Sequence, residues 1–264
     1  MIRLSSLHIY PIKSTAGIGL ERAFVERAGL AFDRRFVLTD NDGQFLTARR
    51  HPRLLQVRAT PTSDGLVLSA TGCSDLRLRY DDFPAAYRTI SVWNDQIEGQ
   101  HCSDSADRWF SEWLGLECSL RYFGTRSSRQ TDRAPLSPVA FADGYPLLLI
   151  GEASLADLNS RLPAPVAMAQ FRPNLVISGS DAFAEDSWRR IRIGSLELEP
   201  VKPCARCVLT TIDPVTAERH PRQEPLRTLT GYRRDSEGQV NFGQNLVPLG
   251  EGVLEVGMEV EILA

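Results

Sequence analysis

Turn signals arrive so often along the first hundred residues that only short strands fit between them. Leu4 to Ile12 alternates, with Leu4, Ser6 and His8 set against Ser5, Leu7 and Ile9, and closes at Pro11-Ile12-Lys13-Ser14. Asp33 to Thr39 ends at Asp40-Asn41-Asp42-Gly43, a hairpin signal, and Gln44 to Arg50 is expected to pair back. Further strands are expected at Leu54 to Thr60, Gly65 to Ala70, Leu76 to Tyr80 and Arg88 to Trp93. This spacing predicts a β-barrel or sandwich. A helix over Ser105 to Leu114 follows, with Trp109, Phe110, Trp113 and Leu114 as its apolar stripe. Gly115 ends it, and Cys118 to Phe123 reads as a short strand.

Gly124 to Pro138 is polar and turn-rich, and reads as a domain boundary or mobile loop. Its arginines, Arg126, Arg129 and Arg133, are either solvated or gate an anionic ligand. Leu147 to Ile150 is fully apolar, as a strand covered on both faces would be. A helix is expected over Ser154 to Leu162, with Ser154 and Asp157 at capping-box spacing. Leu175 to Gly179, Ile191 to Glu199 and Gly252 to Leu263 add strands. The fold class is therefore α+β and β-rich, with a few helices and two domains expected over residues 1–123 and 124–264.

Composition narrows the function. A net charge of −3 provides no basic field for nucleic acid. No apolar run is long enough to cross a bilayer, so no membrane partner is expected, and the first residues lack the apolar core of a secretion signal. Five cysteines without framework spacing fit a reducing compartment, and a cytoplasmic location is expected.

Cys204-Ala205-Arg206-Cys207, bracketed by Pro203 and Asp213-Pro214, carries the strongest chemical signal. Alternating residues before it and the β-branched run Val208 to Ile212 after it place the pair in a connection between strands. Arg206 would favour the thiolate form of a nearby cysteine. Four readings are open: half of a zinc site, a dithiol redox centre, one catalytic thiolate on a metal cofactor, or two core cysteines. Lys13-Ser14 beside a glycine-containing turn can hold an anion, or be a solvated turn. Arg34 and Arg35 would face opposite ways in a strand, so that one points inward and needs an anion or Asp33. Arg172 and Asn174 flank Pro173, as an anion or heterocycle site or a structural turn would require.

Taken in order, several segments resemble one family. Tyr10-Pro11-Ile12-Lys13-Ser14, Asp33-Arg34-Arg35-Phe36, Ser154-Leu155-Ala156-Asp157-Leu158-Asn159, Phe171-Arg172-Pro173-Asn174, Ala184-Glu185-Asp186-Ser187-Trp188 and Cys204-Ala205-Arg206-Cys207 are similar to two-part MOSC proteins. Thr210-Thr211 and Asp213-Pro214 continue the match. That family is named for the C-terminal domain of molybdenum cofactor sulfurase and includes the mitochondrial amidoxime reducing component and bacterial relatives that reduce N-hydroxylated compounds. The resemblance implies an N-terminal MOSC β-barrel-like domain followed by a MOSC β-barrel domain. It implies a molybdenum cofactor, molybdopterin with Mo, with Cys207 as metal ligand and catalytic residue. Lys13, Ser14 and Arg35 would hold the cofactor's tail, Arg172 and Asn174 its pterin or phosphate, and Arg206 would lie against it.

The implied activity is reduction of small N-hydroxylated compounds, amidoximes and hydroxylamines among them, to the N–H form. Neither a clustered set of further cysteines nor an N-terminal anchor is expected, and electrons are expected from a separate flavin or iron–sulfur protein. Asp213 or water is the candidate proton donor. The alternatives are a cofactor carrier or persulfide sulfur-transfer module working through Cys207 or Cys204, and a structural barrel that binds a partner through residues 124–138.

Overall fold

The computed structural model describes residues 1–133 and 135–264; residue 134, in the polar stretch 124–138, lies outside the described residues. Eight strands form the largest sheet, in the spatial order Val260–Ile262, Ile191–Ile193, Leu196–Ala205, Asn241–Pro248, Leu147–Gly151, Leu175–Ser178, Arg3–Ile9 and Ile18–Leu20. The sheet curls until its ends meet. Leu4 N–H donates to Met258 O at 2.9 Å and Val260 N–H to Ile2 O at 2.9 Å, so the opening strand also bonds the segment that leads into the last one. A barrel closed in this way leaves little exposed strand edge.

Alternation explains what fills the barrel. Leu147 and Leu149 face its interior with Leu4, Leu7, Ile9, Leu175 and Leu198. Leu148 and Ile150, on the opposite face, pack with Leu158, Phe171 and Phe242. Leu147–Gly151 runs parallel to Leu175–Ser178, with the helix Glu152–Ser160 in the crossover between them. Helix and barrel thus cover both faces, which is why the strand is apolar throughout. In the opening strand, a register shift between Leu4 and Ser6 breaks the simple alternation. Leu4, Leu7 and Ile9 consequently all point inward.

The first half builds a second core from a four-stranded sheet, ordered Phe36–Thr39, Ser119–Tyr122, Asp95–His101 and Tyr87–Val92, and a three-stranded one, Arg58–Thr62, Gly65–Ser69 and Leu76–Arg79. The helix Asp104–Leu114 covers it with Ala106, Phe110 and Trp113. Ser103 caps this helix by accepting from Ala106 N–H, and Gly115, at φ 70°, ends it. The halves interlock: Arg3–Ile9 and Ile18–Leu20 lie in the barrel sheet, and Gly252–Glu255 pairs with Arg22–Glu26.

Several local expectations change. The helix Glu152–Ser160 begins two residues early, and Ser154 is not its cap. Glu185 Oε1 instead accepts from Gly151 N–H at 3.1 Å and Ser154 Oγ–H at 2.7 Å, while Asp157 pairs with Arg161. Gln44 to Arg50 pairs only briefly, then turns at Thr47. Val208–Thr211 is a 3-10 turn, not a strand. Its threonines decide this: Thr210 Oγ1 donates to Cys207 O at 2.9 Å and Thr211 Oγ1 to Val208 O at 2.8 Å, closing the turn from within. Arg129, expected in a mobile or solvated stretch, has a side chain only 5% exposed and pairs with Asp95. It also donates to Ala140 O and Asp143 O, pinning the segment before Leu147.

Candidate functional site

One cleft runs between the two halves, and segments from both line it. Lys13 and Ser14 come from the turn after the opening strand, Arg34 from the turn before Phe36, and Thr47, Arg49 and Trp93 from the first half's loops. Gln170, Arg172 and Asn174 enter from the segment before Leu175, and Cys204 to Cys207 from the end of Leu196–Ala205.

Tyr10 organises the floor. The Arg34 and Arg172 guanidiniums lie over its ring at 4.2 and 4.1 Å from the centroid, and its hydroxyl donates to Pro173 O at 3.0 Å. Burial pushes that hydroxyl up to about 12, despite the cations beside it. Gly17 is required here, since a Cβ would meet the Tyr10 ring at 2.5 Å. Arg34 donates to Asp33 and, at 3.0 Å, to Asn174 Oδ1; Arg172 donates to Thr15 O at 2.7 Å. Burial lowers Arg172 to about 10, and it stays charged at neutral pH. Asn174 is buried, with its side chain also bonded to Leu148 N–H and His8 O.

Lys13 is buried as well, and its ammonium donates to Phe141 O at 2.8 Å and Asp143 Oδ1 at 2.5 Å. Burial lowers its pKa, against the opposing pull of Asp143. Ser14, Arg34, Trp93 and Arg172 all hold positive φ, at 72°, 46°, 57° and 56°, and all four line the cleft. Non-glycine residues held there carry strain of roughly 1–3 kcal/mol each, and such strain gathers at functional sites.

The cysteines differ in their partners. Arg206 Nη1 donates to Cys204 Sγ at 2.8 Å and its Nη2 to Phe171 O. Cys207 is half-buried at the start of the 3-10 turn, and no hydrogen bond reaches its sulfur among the described residues. Arg206 Nε is buried and has no hydrogen-bond partner among the described residues. Five cations, Lys13, Arg34, Arg49, Arg172 and Arg206, line the cleft against one carboxylate, Asp143. Such a cleft favours a multiply anionic ligand. Among the described residues no three His, Cys, Asp or Glu side chains gather around a metal position, so the cysteine pair lacks the partners of a closed zinc site.

Of the residues singled out in the sequence, Lys13, Ser14, Arg172, Asn174, Arg206 and Cys207 meet in this cleft. Arg35 does not; its guanidinium pairs with Glu26 on the strand Arg22–Glu26. Of the two adjacent arginines it is Arg34, held in a left-handed turn and paired with Asp33, that enters the cleft, and strand pairing begins only at Phe36. Asp213 is also outside the cleft, where its carboxylate caps a turn by accepting from Val215 and Thr216 N–H. Tyr10, Arg34, Arg49, Trp93 and Asp143 were not assigned to the site, and only the inward-arginine argument pointed towards one of them.

Two family models match the chain, the MOSC N-terminal beta barrel domain over residues 1–117 and the MOSC domain over residues 137–261. The mitochondrial amidoxime-reducing component 1 of Mus musculus is 39% identical, with 98% of this chain and 82% of that protein aligned. Its Homo sapiens counterpart is 38% identical over the same shares of the two chains. The mitochondrial amidoxime reducing component 2 of Rattus norvegicus is 38% identical over 87% of this chain and 72% of its own.

The chain belongs to the MOSC family of amidoxime-reducing components. In this MOSC protein the cleft lies between the two matched regions. The expected cytoplasmic location is overturned, because the relatives aligned over nearly the whole chain are named as mitochondrial proteins.

Proposed function

We propose that this protein reduces N-hydroxylated compounds to their N–H forms with a molybdenum cofactor held in the cleft. The observation that carries the reading is Cys207, a thiol without a polar partner among the described residues, in a cation-lined cleft of a chain aligned over 98% of its length with an amidoxime-reducing component. The donor set suits such a group. A soft thiolate is the ligand for a soft metal centre, and buried cations with an unpaired Arg206 Nε suit the anionic remainder.

In this reading Cys207 is the metal's protein ligand. Lys13, the Ser14 hydroxyl and Arg172 hold the cofactor's anionic end, with Arg34 in the place expected for Arg35. Arg206 closes one side while tied to Phe171 O, and Asn174 keeps Arg34 in register from below. The cofactor, when bound, supplies two-electron redox chemistry for N–O cleavage. The chain supplies orientation, and the open cleft admits substrate and two protons, one kept at the nitrogen and one leaving with the oxygen as water. A separate flavin or iron–sulfur protein supplies electrons.

The test is reduction of benzamidoxime by cofactor-loaded protein. Reduced viologen is expected to support turnover to benzamidine, and NADPH alone is not. Inactivity with viologen at full cofactor occupancy would refute the reading and favour the cofactor-carrier role.

A further inference from the structure

Four of the five cations in the cleft are committed to protein acceptors. Lys13 holds Phe141 O and Asp143, Arg34 holds Asp33 and Asn174, Arg172 holds Thr15 O, and Arg206 holds Phe171 O. Arg49 is the exception. Among the described residues its guanidinium makes no hydrogen bond and no ion pair, although it lines the same cleft. It lies instead over the Trp93 ring, 4.4 Å from the centroid. A guanidinium stacked on an indole keeps its N–H edges free, because the ring attracts the flat face.

Both partners of the stack are fixed from behind. Thr47 O accepts from Arg50 and His51 N–H, at 2.9 Å each, which tightens the turn that carries Arg49. Arg219 Nη2 donates to Arg49 O at 2.8 Å, and Arg219 is itself bridged to Ile212. Arg49 is thereby tied to the segment that continues from the Cys207 turn. Trp93 holds φ 57°, packs edge-on against Phe45 at 4.8 Å and donates Nε1–H to Asp143. It is 39% exposed, so the platform stands where a ligand enters and leaves.

We propose that Arg49, on its Trp93 platform, is a specificity-determining residue that pairs with a carboxylate carried by the substrate away from its N–OH group. N-hydroxylated amidines bearing a carboxylate are then preferred over neutral ones. The proposal rests on the reductase reading for the identity of the substrate. Cations already held in place suit a resident group, whereas an uncommitted one suits a ligand that comes and goes. The planar fork matches a carboxylate through two parallel N–H···O bonds. Asp143, the carboxylate that lines the cleft, leaves Arg49 free because Lys13 and Trp93 engage it.

The experiment is calorimetric binding of 4-carboxybenzamidoxime and benzamidoxime to oxidised, cofactor-loaded protein without reductant. Wild type is expected to bind the carboxylate at least about tenfold more tightly, a difference of about 1.4 kcal/mol. Arg49→Met should bring that ratio to about one at unchanged cofactor content. Arg49→Lys keeps the charge but not the fork, and should retain only part of the preference. An undiminished preference in Arg49→Met would assign it to the general field of the cleft, and loss of cofactor from that variant would place Arg49 on the cofactor. Either result, or no preference in wild type, overturns the proposal. Should Arg49→Met fail to fold, Trp93→Leu decides in its place: loss of the platform should lower the ratio about threefold, and an unchanged ratio refutes the assignment. Because binding is read without turnover, the same preference in a protein that fails the viologen assay would refute the reductase reading and leave Arg49 as a carboxylate site.

Discussion

Two pairs of cysteines lie in opposite surroundings. Cys102 and Cys118 are buried in the first half's core with Ala106, Phe110 and Leu120. Burial pushes the Cys102 thiol far up and the Cys118 thiol up to about 11. Cys204 and Cys207 are half-buried along a cleft lined by cations, and Arg206 donates to the first of them. The same side chain is an inert apolar filler in one place and a candidate soft ligand in the other. What separates them is the neighbourhood that the fold brings together, and each variant below tests that difference.

The largest effect is expected at Cys207. Its replacement by Ala should lower viologen-driven reduction more than about 100-fold, beyond the 10–100-fold typical of changes around a metal's ligands. Cys204→Ala should keep a measurable fraction, reduced because Arg206 loses one of its tethers. Equal loss in two folded variants would erase the distinction within the pair.

Removing a cation from the cleft should come next. Arg172→Ala is expected to weaken cofactor retention by about 10- to 150-fold, corresponding to about 1.5–3 kcal/mol for a charge-assisted bond. Pterin released on dialysis measures this, and unchanged occupancy would remove Arg172 from the site.

In the core, the comparison predicts a change of stability alone. Cys102→Ser introduces a hydroxyl among apolar side chains and should cost about 1–3 kcal/mol in denaturant unfolding, with cofactor content unchanged. Native alkylation of the apoprotein should modify Cys204 and Cys207 and spare Cys102 and Cys118 until the chain unfolds.

The smallest effect is a pH dependence. Cys118 is raised in the folded state, mainly by burial, so its contribution is fully present below the unfolded thiol's pKa. It is lost as pH rises through the folded value of about 11, because the unfolded chain gives up that proton first. Between about pH 9 and pH 11, Cys118→Ser should show a shallower fall in stability than wild type.

Much of the barrel was legible because strand alternation is local. Leu147 to Ile150 read as doubly covered from its own residues, and the helix with Phe110 and Trp113 from its spacing. The register shift after Leu4 was not legible, since a bulge is decided by the neighbouring strand. The threonines of Val208–Thr211 were mistaken for strand formers because β-branched residues also suit a 3-10 turn when their hydroxyls bond backwards. At the site, residues within compact motifs could be found, whereas Asp143 could not. Asp143-Gly144 reads only as a turn, and the partner that gives its carboxylate a role, Lys13, is 130 positions away. Arg34 and Arg35 show the same limit, because one left-handed residue reverses which of two adjacent guanidiniums enters the cleft.

The central claim, that Cys207 and not Cys204 is the protein's ligand to the metal, is tested most directly by X-ray absorption at molybdenum in cofactor-loaded wild type, Cys204→Ser and Cys207→Ser. The account predicts the same number of sulfur neighbours in wild type and Cys204→Ser, and one fewer in Cys207→Ser. An undiminished sulfur count in Cys207→Ser at full molybdenum occupancy would contradict it.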